Sequence, residues 1–181
     1  MNRIIFSVCF VAVLGLSSLT AAAPSSLLPN GDFENGTTGW PTPAGVTLEQ
    51  EKKNHFLRLH PTAAGQTINV FRQMDLGGVK DIQLSYRVRT VEIKRGSEAW
   101  HDARIILEFK DAAGAVVKPG PSHPFFTGST DGWKDKTLRI AVPPGAVTFS
   151  VMPAMFQAES GTFDIDDIQV VAVEPDKPAT K

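Results

Sequence analysis

Acidic residues are concentrated in two short stretches near the ends of the 181-residue sequence. The first stretch contains Asp32 and Glu34, and the second contains Asp166 and Asp167. If the two stretches pair in one sheet, their carboxylates come close together and repel one another unless a cation neutralises them. The spacing therefore predicts a cation site where the two ends meet. The alternative is that these acids are ordinary solvent-facing strand residues.

A second group of candidate residues comes from strands with alternating polarity. Alternation predicts that Ile82, Leu84, Tyr86 and Val88 face the core while Arg87 and Arg89 face outward. By the same reasoning, Phe71, Gln73, Arg104 and Glu108 face outward on other strands. If these outward faces belong to one sheet, they form a binding surface. The alternative is an ordinary solvated face with cross-strand ion pairs.

The tryptophans are the residues best suited to stack on a ligand. Trp100 lies among polar groups between Gly96 and Arg104, so it is the best candidate for a binding platform, although a loop anchor fits the sequence equally well. Catalysis has less support. Glu98, Asp102 and Glu108 could supply the carboxylate pair of a glycosidase, but acids on exposed strands are usually solvated, and no nucleophile-elbow motif is present. We therefore expect a protein that is not an enzyme.

The elements that position these residues are short strands. Frequent turn signals, with 15 Gly and 13 Pro, separate short apolar alternations, and no helical stripe is sustained. The predicted strands cover 30–35, 45–50, 55–60, 66–76, 81–94, 102–110, 114–118, 134–142, 146–157 and 161–173. About ten strands without βαβ spacing predict an all-β fold, a two-sheet antiparallel β-sandwich or jelly roll. Within 161–173 the apolar parity changes at Asp166–Asp167, which predicts a β-bulge.

The two ends of the sequence predict export and a single domain. Residues 1–23 have the pattern of a signal peptide, with cleavage after Ala22. An uncleaved membrane anchor and a lipoprotein signal at Cys9 are the weaker alternatives. We predict a β-sandwich over 24–173 and a disordered tail over 174–181. The expected location is secreted, either periplasmic or extracellular. A formal net charge of −1 without a basic block argues against nucleic acid or membrane as partner.

The end motifs carry a family resemblance. Leu27-Leu-Pro-Asn-Gly-Asp-Phe-Glu-Asn-Gly36 with Gly39-Trp40, and Gly161-Thr-Phe-Asp-Ile-Asp-Asp-Ile168, resemble the first and last strands of jelly-roll carbohydrate-binding modules of families 4, 9 and 22. The stretches beginning at Phe56, Phe71 and Leu84 resemble intermediate strands. The resemblance covers about 28–173. It implies that Trp40 and Trp133 pack structurally, and that a structural calcium is held by Asp32, Glu34 and Asp166, partly through backbone carbonyls.

The resemblance implies a secreted, non-catalytic module that binds a polysaccharide or glycan. Its candidate ligand-binding residues are Trp100, Arg87, Arg89, Arg104, Gln73 and Phe71. The sequence departs from the family in one respect, because a full set of exposed stacking aromatics is not evident. A structural or protein-binding module of the cell envelope or of a secreted assembly is therefore the alternative. The sequence leaves the oligomeric state open.

Overall fold

The computed structural model describes residues 25–174, and in this range every regular element is a β-strand. The ten strands are β1 (Val46–Glu51), β2 (Asn54–Leu59), β3 (Thr67–Asn69), β4 (Arg72–Asp75), β5 (Asp81–Lys94), β6 (Ala103–Lys110), β7 (Phe125–Phe126), β8 (Lys134–Ala141), β9 (Thr148–Phe156) and β10 (Ser160–Val173). The predicted signal peptide and all but the first residue of the predicted tail lie outside the described residues.

The strands form two antiparallel sheets that pack face to face. Sheet 1 has the order β1-β2-β10-β5-β8, and sheet 2 has the order β3-β9-β6-β7, with β4 also pairing with β9. The long strands β5 and β10 lie side by side at the centre of sheet 1. The prediction of an all-β, two-sheet sandwich of the jelly-roll type is confirmed.

The inner faces of both sheets supply the core. The alternation of β5 is as predicted, because Ile82, Leu84, Tyr86 and Val88 are all buried and face sheet 2. The opposing layer includes Ile105, Leu107, Phe149 and Val151, which are also fully or almost fully buried. Burial of these side chains is the main favourable term in the folding of the sandwich.

The predicted bulge in β10 is confirmed. The pairing of β10 with β5 shifts register between Asp166 and Gln169, and Asp167 has a φ of 49°. An extra residue in one strand of an antiparallel pair reverses the parity of the later residues in that strand. As a result Phe163 and Ile165 before the bulge, and Ile168 and Val170 after it, all face the core.

The stretch 30–35 is not a strand, and that prediction is wrong. Asn30 and Phe33 each have a φ of 54°, which is incompatible with an extended strand, so the segment folds into successive turns. It nevertheless lies against β10, because the Leu27 amide donates to the Val170 carbonyl (2.7 Å) and the Ile168 amide donates to the Gly31 carbonyl (2.9 Å). The two acidic stretches therefore do meet in space.

Two further strand predictions differ from the structure. The predicted strand 114–118 is reduced to one isolated bridge between Lys110 and Val116, and the short strand β7 forms instead within the loop that comes after it. The predicted strand 66–76 is divided into β3 and β4 at Val70–Phe71, although its facing pattern holds, with Val70 and Met74 buried.

Candidate functional site

The predicted ligand-binding residues are divided between the two sheets. Arg87 and Arg89 lie on β5 in sheet 1, whereas Gln73 lies on β4 and Arg104 on β6, both in sheet 2. Phe71 directly precedes β4. The expectation that the outward faces form one surface is therefore wrong. The physical reason is that β5 pairs with β10 and β8, whereas β6 pairs with β9 and β7.

The remaining candidates lie on or beside the outer face of sheet 2, namely Phe71, Gln73, Trp100 and Arg104. Strand register forms two rows across this face. One row contains Gln73, Ser150 and Glu108, and the other contains Asn69, Ala154, Arg104 and Phe125. Between these two rows, Ile106 pairs with Met152, and both are partly exposed. We call this surface the aromatic face. Its members are Phe71, Trp100, Phe125 and Phe156, with Ile106, Met152 and Ala154 between them.

Three rings of the aromatic face are exposed to solvent. The exposed fractions are 41% for Phe71, 48% for Trp100 and 58% for Phe125. Among residues 25–174, these are the only large exposed aromatic side chains, and all three lie on the side of sheet 2. From the strand spacing, the rings border an area about 15 Å across. The sequence did not show this set, because the two phenylalanines and the tryptophan are far apart in the chain.

The loop that carries Trp100 is held by its own backbone and by His101. The Gly96 amide donates to the His101 carbonyl (3.0 Å), and the Glu98 amide donates to His101 Nδ1 (3.3 Å). The Trp100 ring packs on Phe156, with the ring centroids 5.2 Å apart. Trp100 therefore fits both predicted roles, a loop anchor and a binding platform. One part of its ring packs on Phe156, and the other part is open to solvent.

Polar groups with fixed positions accompany the rings. Arg104 Nε donates to Asp102 Oδ1 over 2.7 Å, and Asp102 is only 1% exposed. Arg95 lies over the Phe125 ring, with its guanidinium carbon 5.5 Å from the centroid. Asp102 is thus held in a buried ion pair with Arg104. The exposed amide side chains of Asn69 and Gln73 can both donate and accept hydrogen bonds.

Arg87 and Arg89 neutralise carboxylates on the outer face of sheet 1. Asp164 and Asp166 on β10 are fully buried, although their positions face outward. Asp164 accepts hydrogen bonds from Arg58 Nε (2.8 Å) and Arg89 Nε (2.9 Å), and Asp166 accepts one from Arg87 Nε (3.1 Å). Hydrogen bonding to Asp164 raises the pKa of Arg58 above its usual value. These arginines therefore hold three adjacent strands together.

Two aromatic side chains cover this ion-pair cluster. Trp133 and Phe56 pack edge to face with centroids 5.2 Å apart, and the guanidinium of Arg89 lies 4.6 Å from the Trp133 centroid. Phe56 is 2% exposed. The structural role expected for Trp133 agrees with these contacts. The sequence did not identify Arg58 and Phe56 as members of this cluster, because only the pairing of β2 with β10 brings their strand next to Asp164.

The predicted metal ligands lie in one corner but have other partners. The Asp166 carboxylate accepts hydrogen bonds from Asn54 Nδ2 (2.8 Å), Arg87 and the Asp167 amide (2.7 Å). Glu34 accepts a hydrogen bond from the His55 amide (2.7 Å), which lowers the pKa of Glu34. Asp32 Oδ1 accepts one from the Glu34 amide (3.4 Å).

For Asp166 and Glu34, these contacts replace the partner that the sequence assigned to a cation, whereas Asp32 has only the Glu34 amide. Within residues 25–174, no group of three or more His, Cys, Asp or Glu side chains is arranged to hold a metal ion. Asp32, Glu34 and Asp166 therefore do not fit as the side-chain ligands of calcium, which prefers six to eight oxygens. The binding of calcium itself stays a prediction.

In the described part of the chain, no helix is long and apolar enough to cross a membrane.

Comparison with known proteins finds similarity in structure but not in sequence. No protein-family model matches the sequence, and no curated protein matches it. Among solved structures, the enzymatically active domain of tailspike protein 4 of bacteriophage CBA120 has a TM-score of 0.62 and 15% identity. That match covers 82% of this chain but only 21% of the tailspike chain.

Two similar structures are carbohydrate-binding modules that match over their whole length. The module TmCBM61, solved in complex with β-1,4-galactotriose, has a TM-score of 0.56, 14% identity and coverage of 82% of this chain and 99% of its own. A second module, of family 16, has a TM-score of 0.57, 19% identity and coverage of 80% and 99%. At such identities the likeness shows the fold alone. The chain has the jelly-roll fold of carbohydrate-binding modules, as its end motifs predicted.

Proposed function

We propose that the protein is a non-catalytic module that binds a polysaccharide or glycan on the aromatic face of sheet 2. The observation that supports the proposal best is the grouping of three exposed rings on one sheet face, beside exposed amides and Arg104. Sugars present apolar C–H faces to aromatic rings and hydroxyls to planar polar groups, so this combination suits them. The fold is one in which TmCBM61 was solved with a bound galactotriose.

Within the aromatic face, we assign the main contact to Trp100. Its ring is the largest of the three, and its packing on Phe156 fixes its plane before a ligand arrives. A platform that is already ordered loses little conformational freedom on binding. Phe71 and Arg104 are the further contacts, at other positions of the same face. Arg87 and Arg89, which bind buried carboxylates on sheet 1, are not part of this site.

Migration through gels that contain soluble polysaccharides tests the proposal. We expect the protein to be retarded by at least one polysaccharide of a broad panel, and we expect Trp100→Ala to reduce its affinity by roughly tenfold or more. Phe71→Ala should have a smaller effect in the same direction. Val91→Ala is the matched control, because Val91 is 46% exposed on sheet 1 and its truncation should leave retardation unchanged.

Normal migration of the unaltered protein on every polysaccharide would contradict the proposal. If a pull-down then recovered one stoichiometric protein partner, the alternative of a protein-binding module would be selected. Equal loss of retardation in the Val91→Ala control would show that the aromatic face is not the site.

We also propose that the protein is secreted, to the periplasm or beyond the cell. The proposal is supported by the apolar run and the small residues of the sequence up to Ala23. Mass spectrometry of the protein from its native source should give a chain that begins at Ala23. A chain that retains Met1 would contradict cleavage.

A further inference from the structure

A cleft opens at one edge of the sandwich, away from the aromatic face's centre. Its volume is about 490 Å³, and it lies between β8 of sheet 1 and the segment 122–126 that leads into β7 of sheet 2. Val88, Pro124, Phe126 and Leu138 supply an apolar lining. This volume falls within the range of small-molecule sites, which is about 300–1,000 Å³.

The cleft exists because the two sheets differ in extent at this edge. Strand β8 has eight residues, whereas β7, which closes sheet 2 on the same side, has only two. The inner face of β8 is therefore left without a covering strand along part of its length. Unlike the core between β5 and β9, this part of the interior is open to a ligand from solvent.

The residues on the inner face of β8 change from apolar to charged at the cleft. Ile140 and Leu138 pair with Ile82 and Leu84 and continue the apolar layer. The next two inner positions, beside Tyr86 and Val88, are Lys136 and Lys134, and both line the cleft. Two lysines thus occupy positions where the strand pattern calls for apolar side chains.

Neither lysine is neutralised within the described residues. Both take part in the backbone ladder with β5, but no ion pair or side-chain hydrogen bond joins the ammonium group of Lys134 or Lys136 to another group of residues 25–174. Asp135 lies between them in sequence but faces the opposite side of the sheet, where it is paired in register with Arg87. Positions i and i+2 on one strand face are about 7 Å apart, so both ammonium groups can reach a single anion.

Further polar side chains line the cleft, namely Tyr86, Ser122, His123, Thr130 and Thr137. Tyr86 lines the cleft and is 4% exposed. Burial raises the pKa of Tyr86 to about 12, so the phenol stays protonated and can donate a hydrogen bond at neutral pH. The cleft therefore has an apolar body, hydroxyl donors and two cations at its rim.

We propose that this edge cleft binds an amphipathic carboxylate, with the apolar part of the ligand against Pro124, Phe126 and Leu138 and the carboxylate between Lys134 and Lys136. The two neighbouring ammonium groups favour an anionic ligand over an uncharged glycan. The two ammonium groups lie on the open side, where a charged head can keep part of its hydration. The cleft adjoins the aromatic face at Phe125, which lines both, but it does not include Phe71 or Trp100 and does not depend on the proposed glycan binding.

Isothermal titration with dodecanoate, below the concentration at which it forms micelles, tests this site. We expect saturable binding with one site, and weaker binding of 1-dodecanol, which has the same chain without the charge. In the variant Lys134→Gln/Lys136→Gln the affinity for dodecanoate should fall about tenfold or more. Lys53→Gln/Lys94→Gln is the matched control, because it removes the same charge from exposed lysines elsewhere.

A second measurement on the unaltered protein makes the test independent of variant folding. Amide chemical-shift changes caused by dodecanoate should centre on Tyr86, Leu138 and 122–126. Tyr86→Phe, which removes only the hydroxyl, should also weaken binding. Absence of binding, equal affinity for dodecanol, an unchanged affinity in the Lys134/Lys136 variant, or shifts centred on Phe71 and Trp100 would each overturn the proposal.

Discussion

At the scale of single residues, Asp167 shows how the bulge in β10 places an acid at an unfavourable position. Its backbone has a φ of 49°, and its carboxylate lies beside the buried Asp166. Partial burial, followed by the charge of Asp166, raises the pKa of Asp167 above 3.8, even though Arg87 opposes the shift. The ionised form is therefore less favourable in the folded chain than in the unfolded chain.

We predict that Asp167→Asn stabilises the protein at pH 7. The folded-state pKa is raised, so the cost of ionisation is present at pH values above it and disappears as the pH falls below 3.8. Asn carries no charge and tolerates positive φ. The gain in Tm should be small, because 46% of the Asp167 side chain is exposed. Thermal melts of both proteins at pH 7 and pH 3 check this.

At pH 3 the two melting temperatures should agree. A lower Tm for Asp167→Asn at pH 7 would show that the ion pair between Arg87 and Asp167 outweighs the effects of burial and of the neighbouring charge.

At the scale of elements, strand β10 depends on its ion pairs with both neighbours. The Asp164 carboxylate on β10 binds Arg58 on β2 and Arg89 on β5, so one buried group joins three strands. Removal of one partner from a buried pair leaves the opposite charges without compensation. The guanidiniums are 33% and 21% exposed, so water can replace part of the lost interaction.

We predict that Asp164→Asn destabilises the fold by about 3 kcal/mol, the lower part of the range for such changes. Chemical denaturation gives this free energy directly. Glu49→Gln is the matched control, because it removes an exposed partner of the same Arg58 at 3.7 Å. That change should cost less than about 1 kcal/mol. Equal effects of the two substitutions would contradict a special role for the buried carboxylate.

The elements also show which features the sequence can and cannot predict. The alternation of β5 and the parity change in β10 are local patterns, and both predictions are confirmed. The turns at 30–35 were missed, because the positive φ values of Asn30 and Phe33 leave no mark on the pattern of apolar residues. The partners of Asp164 and Asp166 were missed as well, because they depend on which strands pair across 75 to 112 residues of sequence.

At the scale of the whole molecule, the order of strands decides which side chains each outer face carries. The outer face of sheet 1 carries ion pairs that Trp133 covers, whereas the outer face of sheet 2 has three rings exposed to solvent. Composition and alternation predict a sandwich but not this division. The candidate residues were therefore identified as outward-facing but were placed on one surface instead of two.

The meeting of the two chain ends leads to a prediction about calcium. Arg87, Asn54 and His55 already pair with Asp166 and Glu34, two of the three carboxylates that were expected to hold the ion. Because these two carboxylates are already paired, we predict that calcium binds weakly at this corner and raises the Tm of chelator-treated protein by less than about 1 °C. A rise of several degrees, absent with magnesium, would support a structural calcium held by other oxygens.

The most direct test of the central claim monitors the three indole N–H signals during titration with a polysaccharide fragment. Trp40 Nε1 donates to the Asn30 carbonyl (2.8 Å) and Trp133 Nε1 lies 3.5 Å from Glu51, so both serve as internal controls. We predict that the Trp100 signal shifts in a saturable way while the other two stay in place. A shift of Trp133 alone, or of none of the three at saturating ligand, would contradict binding on the aromatic face.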